Sequence, residues 1–390
     1  MISKHNSVLK IWAFGIFILL AILDFFPAAS ASRLPDTLRF GDVAYIKRVE
    51  KLYHNKARLI LINEKQQTAF VMAELFEKHV SFLNPAGNTV KTDSFPQPPS
   101  FAYSKTGSWL YLWGRKNDAN YYYRIYGANG DILFEKSLPP SGSEPSTGTP
   151  LENITGFIKT VWPEGVLALV DSAGDMLYSA RPLEDNSQAN FLFDTDLNEN
   201  AIFVAASPGD YTEFISYNGH LVEQKRTTLP LNGAFSISAS DDGRFAMVNF
   251  YDTGEGWPLV VMSATGQNLY QVPFPKTYAM SSDANYLGLA RANNELILLK
   301  TDSWETIVRV DSAAVAAWTH SGSWKNIEFS DDTRYMLALS DGVLLCIDIL
   351  NRTWKALDFP YAFWQARLLN KSTDLYLTGD YGWVLYKKLK

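Results

Sequence analysis

Cysteine is almost missing from this chain. Cys346 is the single one among 390 residues, so no intramolecular disulfide forms and the fold has to be held by packing. Its setting, Val343-Leu344-Leu345-Cys346-Ile347, reads as a small buried hydrophobe rather than a reactive thiol. Histidine is nearly as scarce: of five, only His54, His79, His220 and His320 lie beyond the amino-terminal leader, and no two stand at metal-ligand spacing. A Ser-His-Asp triad would have to assemble from distant segments, and the Gly-x-Ser-x-Gly elbow of the large hydrolases is absent. Basic charge is not in excess, because 35 Lys and Arg face 41 Asp and Glu for a net charge of −6. That balance argues against a nucleic-acid partner. Long apolar runs are missing too. Ile11 to Leu23 is an uncharged run of 13 residues, whereas a spanning helix needs about 20, and extending the run buries Asp24.

What is present at the start is the layout of an export signal. Lys4 and Lys10 precede the apolar run, and Ala29-Ser30-Ala31 offers small residues at the −3 and −1 positions. Cleavage after Ala31 is expected, with an uncleaved amino-terminal membrane anchor as the alternative. Removing residues 1–31 leaves 359 of 390, and taking away Lys4, Lys10 and Asp24 leaves 33 basic against 40 acidic residues, or −7. Export without disulfides fits a bacterial envelope better than an animal secretory route, and a periplasmic or extracellular location is expected. Asn153-Ile154-Thr155, Asn351-Arg352-Thr353 and Asn370-Lys371-Ser372 are glycosylation sequons that matter only in a eukaryotic source.

Beyond the leader the chain repeats itself. Ser240-Asp241-Asp242-Gly243-Arg244 is a polar turn followed by the apolar run Phe245 to Phe250, and Ser330-Asp331-Asp332-Thr333-Arg334 leads into Tyr335-Met336-Leu337 in the same way. Weaker copies start at Ser104 and Ser281. Short polar side chains bond back to their own backbone and Gly reaches positive φ, so each copy reads as a hairpin turn between strands. A second hairpin follows some way on, as at Val260 to Tyr270. Two hairpins make four antiparallel strands, and the period of roughly 40 to 50 residues is the length of one propeller blade. An all-β propeller is expected over residues 32–390, with units at 58–95, 101–138, 154–182, 191–229, 234–274, 278–310, 327–357 and 365–390. The third unit turns early at Asp171-Ser172-Ala173-Gly174 and has room for only three strands, which leaves a count of eight blades with seven as the alternative. The last unit lacks an outer strand, and Asp42 to Val49 is the candidate to supply it and close the ring. Residues 139–150 carry no apolar side chain other than proline and read as a flexible loop.

The Ser-Asp-Asp-Gly turn followed by Arg-Phe-Ala-Met-Val resembles the Ser-Pro-Asp-Gly signature of repeats in exported bacterial propellers and in prolyl-oligopeptidase relatives. The turns Gly130-Asp131-Ile132-Leu133-Phe134, Gly174-Asp175-Met176-Leu177-Tyr178 and Gly266-Gln267-Asn268-Leu269-Tyr270 resemble the Gly-x-x-x-Trp turn of pyrroloquinoline-quinone-type eight-bladed propellers, with Phe or Tyr in place of Trp. The resemblance implies architecture alone, because fold does not fix function. Tryptophan-aspartate repeats do not fit: Gly219-His220 occurs once and Trp-Asp never.

Two features invite a functional reading. Asp194-Thr195-Asp196-Leu197-Asn198 alternates oxygen ligands as a calcium loop does, but Glu199 stands where that loop needs Gly, so a hairpin turn is expected there and no metal or cofactor. The second is aromatic. Trp304, Trp318, Trp324, Trp354, Trp364 and Trp383, six of the eleven tryptophans, fall in the last 90 residues. Trp318, Trp324, Tyr361, Phe363 and Trp364, with Trp257 in a separate loop, are the candidate binding residues, since loop tryptophans suit recognition of proteins and sugars. The competing reading is packing between blades. The expectation is a non-enzymatic, exported interaction platform of the cell envelope whose partner is an envelope or extracellular protein. The alternative is a propeller that binds or cleaves glycans with paired carboxylates.

Overall fold

The computed structural model describes residues 34–40, 42–52, 57–63, 68–73, 78–84, 88–103, 109–117, 120–127, 130–138, 149–150, 156–161, 165–171, 175–183, 190–251, 258–273, 275–311, 313–314, 324–340, 342–359, 362–369, 374–379 and 382–389. Their strands form eight antiparallel sheets. In chain order the first seven span residues 57–94, 100–138, 149–180, 190–229, 234–273, 275–310 and 324–358, each with four strands laid side by side in sequence order. The eighth, 363–388, supplies three strands and is extended by two from the amino terminus.

The turn between the first two strands explains why the fifth, sixth and seventh sheets form hairpins. In the fifth sheet the Ser240 hydroxyl donates to Asp242 Oδ1 at 2.8 Å and accepts from the Phe245 N–H at 3.0 Å, while the Arg244 N–H donates to the same Asp242 oxygen at 3.0 Å. Ser281 and Asp283 repeat this in the sixth sheet, and Ser330 and Asp332 in the seventh. The residue three places after the serine takes a left-handed backbone: Gly243 at φ 73°, Ala284 at 51° and Thr333 at 55°. Only glycine does so without strain.

Strands after the turns are continuous apolar runs because both of their faces are covered. In Phe245–Phe250 the side chains alternate between two cores. Ala246, Val248 and Phe250 join Phe203 and Phe214 of the fourth sheet, whereas Phe245 and Met247 join Leu287, Leu289 and Ile297 of the sixth. The same period-two partition links the first sheet to the second through Val80 and Phe82, the third to the fourth through Leu167 and Leu169, and the sixth to the seventh through Leu298 and Met336. Each fully buried Leu or Phe contributes on the order of 2 kcal/mol by removal from water. Thr149–Pro150 lies against Ser100–Tyr103 of the second sheet, and Trp324–Phe329 against Phe363–Leu369 of the eighth. Ala57–Asn63 of the first sheet lies against Asp374–Gly379 and Gly382–Lys388 of the eighth.

Three details differ from the sequence reading. The third sheet has four strands rather than three, since Thr149–Pro150, from the end of the segment read as a flexible loop, pairs with Phe157 and Ile158. Backbone pairing needs no apolar side chain, so composition did not reveal it. The seventh sheet starts at Trp324, three residues before the expected Ile327. At the amino terminus Val43–Leu52 pairs with Gly382–Lys388 from Tyr45↔Lys388 to Leu52↔Gly382, and an additional strand, Thr37–Phe40, pairs on its other side.

Candidate functional site

Of the aromatic binding candidates singled out in the sequence, those among the described residues are buried or half-buried. Trp324 is 3% exposed, packs among Leu298, Val310 and Ile327, and donates its indole N–H to the Asn294 carbonyl at 3.0 Å. Phe363 is buried edge-on to Phe359. Trp364 is half-buried and sits where the pairing of Phe363–Leu369 with Asp374–Gly379 slips by a residue. Trp257, Trp318 and Tyr361 lie outside the described residues. Among the other tryptophans, Trp304 stacks on Tyr270 at 5.0 Å and Trp383 is buried. Indoles of this kind fill the spaces between sheets. The Asp194 to Asn198 stretch likewise behaves as a turn: Asp194 Oδ2 accepts from the Ala239 N–H at 2.7 Å, and Asp196 Oδ1 from the Ala201 N–H at 3.0 Å.

An exposed apolar surface lies elsewhere, on the outer strands of the first three sheets. In the third sheet the outer strand Met176–Ala180 is an edge, paired on one side with Val166–Asp171 and, among the described residues, with nothing on the other. Met176, Leu177 and Tyr178 are 55%, 45% and 41% exposed. Ile132 and Leu133 on the outer strand of the second sheet, and Val90 on that of the first, are also exposed. Tyr178 is fixed from one side by His220, whose ring meets it edge-on at 4.9 Å.

Composition separates this edge from the others. Proteins protect exposed edge strands with charge, proline or cover. Thr89–Ser94 carries Lys91 and Asp93, Ile132–Leu138 carries Glu135 and Lys136, and Glu223–Leu229 carries Glu223, Lys225 and Arg226. Glu305–Val310 and Thr353–Asp358 are charged as well. Asn268–Pro273 is uncharged, but it ends in Pro273 and its Tyr270 is covered by Trp304. Met176-Leu177-Tyr178-Ser179-Ala180 has neither charge nor proline, and although His220 meets Tyr178 edge-on, Met176 and Leu177 stay exposed. The sequence carries this signal as an outer strand lacking charge.

No protein-family model matches the sequence, and no curated protein matches it. Solved structures do. BamB from Moraxella catarrhalis superposes with a TM-score of 0.54 at 10% identity, over 86% of this chain and 100% of that one. The Dos1 propeller superposes with a TM-score of 0.59 at 8% identity, over 87% and 96%. The chain folds as a β-propeller. At such identities the likeness speaks for architecture alone. In a propeller the outer strand of each sheet is the one that faces away from the inner strands, so an uncharged, apolar outer strand is open to a partner's backbone and side chains together.

Proposed function

We propose that this propeller is an exported, non-enzymatic interaction platform of the cell envelope, and that it receives an extended strand of a partner protein along Met176–Ala180. The observation that carries the reading is the exposure of Met176, Leu177 and Tyr178 on an uncharged edge strand. Strand addition draws affinity from main-chain hydrogen bonds and specificity from alternate side chains. The partner segment is therefore an uncharged strand with apolar residues at alternate positions. Export is supported by the charged start, short apolar run and Ala29-Ser30-Ala31 site of residues 1–31.

The platform works best as a closed ring, and we read the eight sheets as eight blades of one. Two observations support this: Val43–Leu52 serves as the fourth strand beside Gly382–Lys388, and the first sheet lies against the eighth. Closure of this type leaves no unpaired edge at the join.

The test is a photocrosslinking side chain placed at Leu177, and as a control at Lys225 on the fourth sheet's outer strand, in the full-length protein in its own cells. An adduct of discrete mass at position 177, absent at 225 and lost when Met176→Lys and Tyr178→Lys are added, is the expected result. No adduct at 177, or the same adducts at both positions, overturns the reading.

A further inference from the structure

Beside the seventh sheet, the turn of the amino-terminal hairpin leaves a cleft of about 480 Å³. The pairings Tyr335↔Asp348, Asp348↔Thr353 and Cys346↔Lys355 place those five side chains on one face of the sheet, and Asp42 of the hairpin stands opposite. The volume is in the range of small-ligand sites, and most of the groups around it are polar.

The repeat itself provides an internal comparison. Arg244 and Arg334 occupy the same place in two copies of one turn. Arg244 is spent within the fold: its Nε binds the carboxylate of Asp242, and its Nη2 donates to the Asp283 carbonyl at 2.6 Å and to Asn285 Oδ1 at 3.4 Å. Arg334 leaves its own aspartate. Among the described residues Asp332 bonds the Ser330 hydroxyl and the Arg334 N–H, while the guanidinium reaches into the cleft wall, with Nη2 at 3.0 Å from Asp42 Oδ1 and 3.7 Å from Asp348 Oδ2. Its Nε is buried with no hydrogen-bond partner among the described residues. A guanidinium has five donors in a planar fork, and this one is incompletely used.

Further capacity lines the same space. Lys355 is exposed and makes no ion pair or hydrogen bond with any described residue. The Asp42 carboxylate accepts from Tyr335 and Arg334 through Oδ1 and from its own backbone N–H, and bonds no other described residue. Asp348 holds the Asn351 N–H and side-chain amide at 3.0 and 2.9 Å and retains further lone pairs. The cleft thus sets the Lys355 ammonium and the Arg334 guanidinium beside the carboxylates of Asp42 and Asp348.

We propose that this cleft binds a small carboxylated sugar, with the ligand carboxylate between Lys355 and Arg334 and ring hydroxyls donating to Asp42 and Asp348. A neutral sugar leaves the two cations unused. A bare phosphate dianion fills only part of the space and meets both aspartates at close range. The site is independent of the third-sheet edge, so either stands if the other falls.

Calorimetric titration of the mature protein with glucuronate, galacturonate, glucose and inorganic phosphate tests it. Saturable binding of a uronate is expected, with little or none of glucose. Lys355→Gln should weaken it about tenfold, the loss of one charge-assisted hydrogen bond, and Lys355→Arg should restore most of it. Lys355 is exposed, so these variants fold. Asp42→Asn, which keeps the side-chain shape, should weaken binding in the same direction. The proposal is overturned if neither uronate binds, if Lys355→Gln leaves the affinity unchanged, or if phosphate binds as tightly as the uronate.

Discussion

The Tyr335 hydroxyl donates a hydrogen bond to Asp42 Oδ1 at 2.7 Å, joining the seventh sheet to the amino-terminal hairpin across 293 residues of sequence. Arg334 binds the same oxygen at 3.0 Å, and its guanidinium carbon lies 5.0 Å from the centre of the Tyr335 ring. The hairpin is held by a hydroxyl, a cation and a ring that come from one turn. Tyr335→Phe keeps the ring beneath Arg334 and removes only the hydroxyl. It should lower stability by about 1 kcal/mol and speed amide exchange in residues 37–52 more than elsewhere. Thermal melting with exchange mass spectrometry reads both, and an unchanged hairpin would show that the bond carries no weight.

Gly130 bears on how the first two sheets meet. Its φ is 81°, and a Cβ there would stand 2.6 Å from the Phe82 ring. Phe82 is fully buried beside Tyr126, their rings 5.2 Å apart. Gly130→Ala therefore combines backbone strain with a clash against a ring that has nowhere to move. Destabilisation of about 2 kcal/mol or more is expected, seen as a lower denaturant midpoint. A neutral result would mean that the turn shifts without disturbing Phe82.

Acid should weaken the fold. The Tyr335 hydroxyl, with Arg334, holds the Asp42 carboxyl below the usual carboxylate range. At Asp242, Asp283 and Asp332 burial works to raise the pKa, but hydrogen bonds from side chains and backbone of their own turns outweigh it and leave each one lowered. Groups with a depressed folded pKa contribute stability that is full above the unfolded value near ~4 and is lost as pH falls through the folded value. Glu328, raised by burial despite Arg367, acts in the opposite sense. Asp302, held low by its hydrogen bond from Lys300, adds a fifth lowered carboxylate against one raised, so Tm should drop between about pH 5 and pH 3. Asp332→Asn should make the drop shallower, and a flat profile in the parent protein would contradict the assignment.

Some of this was legible in the sequence because it is local. The Ser240 to Arg244 turn is written in side chains that bond within five residues, so the hairpins and their spacing could be read directly. Alternation between two cores was visible as the continuous apolar run of Phe245 to Phe250. The tether from Asp42 to Tyr335 was not visible, because no local pattern ties residues so far apart. Trp324 shows another limit: composition cannot tell an indole packed between sheets from one that faces solvent. The exposed strand at Met176 was missed for a related reason, since its apolar residues look like those of a buried strand until the neighbours are known.

The most direct measurement is amide hydrogen exchange by mass spectrometry on the mature chain, because it reads the join and the open edge together. Slow exchange is predicted in Val43–Leu52 and Gly382–Lys388, comparable to the central strands, along with fast exchange of the unpaired amides in Met176–Ala180 that slows when the partner is added. Rapid exchange along Val43–Leu52 would contradict the closed ring. Protection of Met176–Ala180 in the isolated protein would mean that the edge is already covered, which contradicts its role as the docking strand.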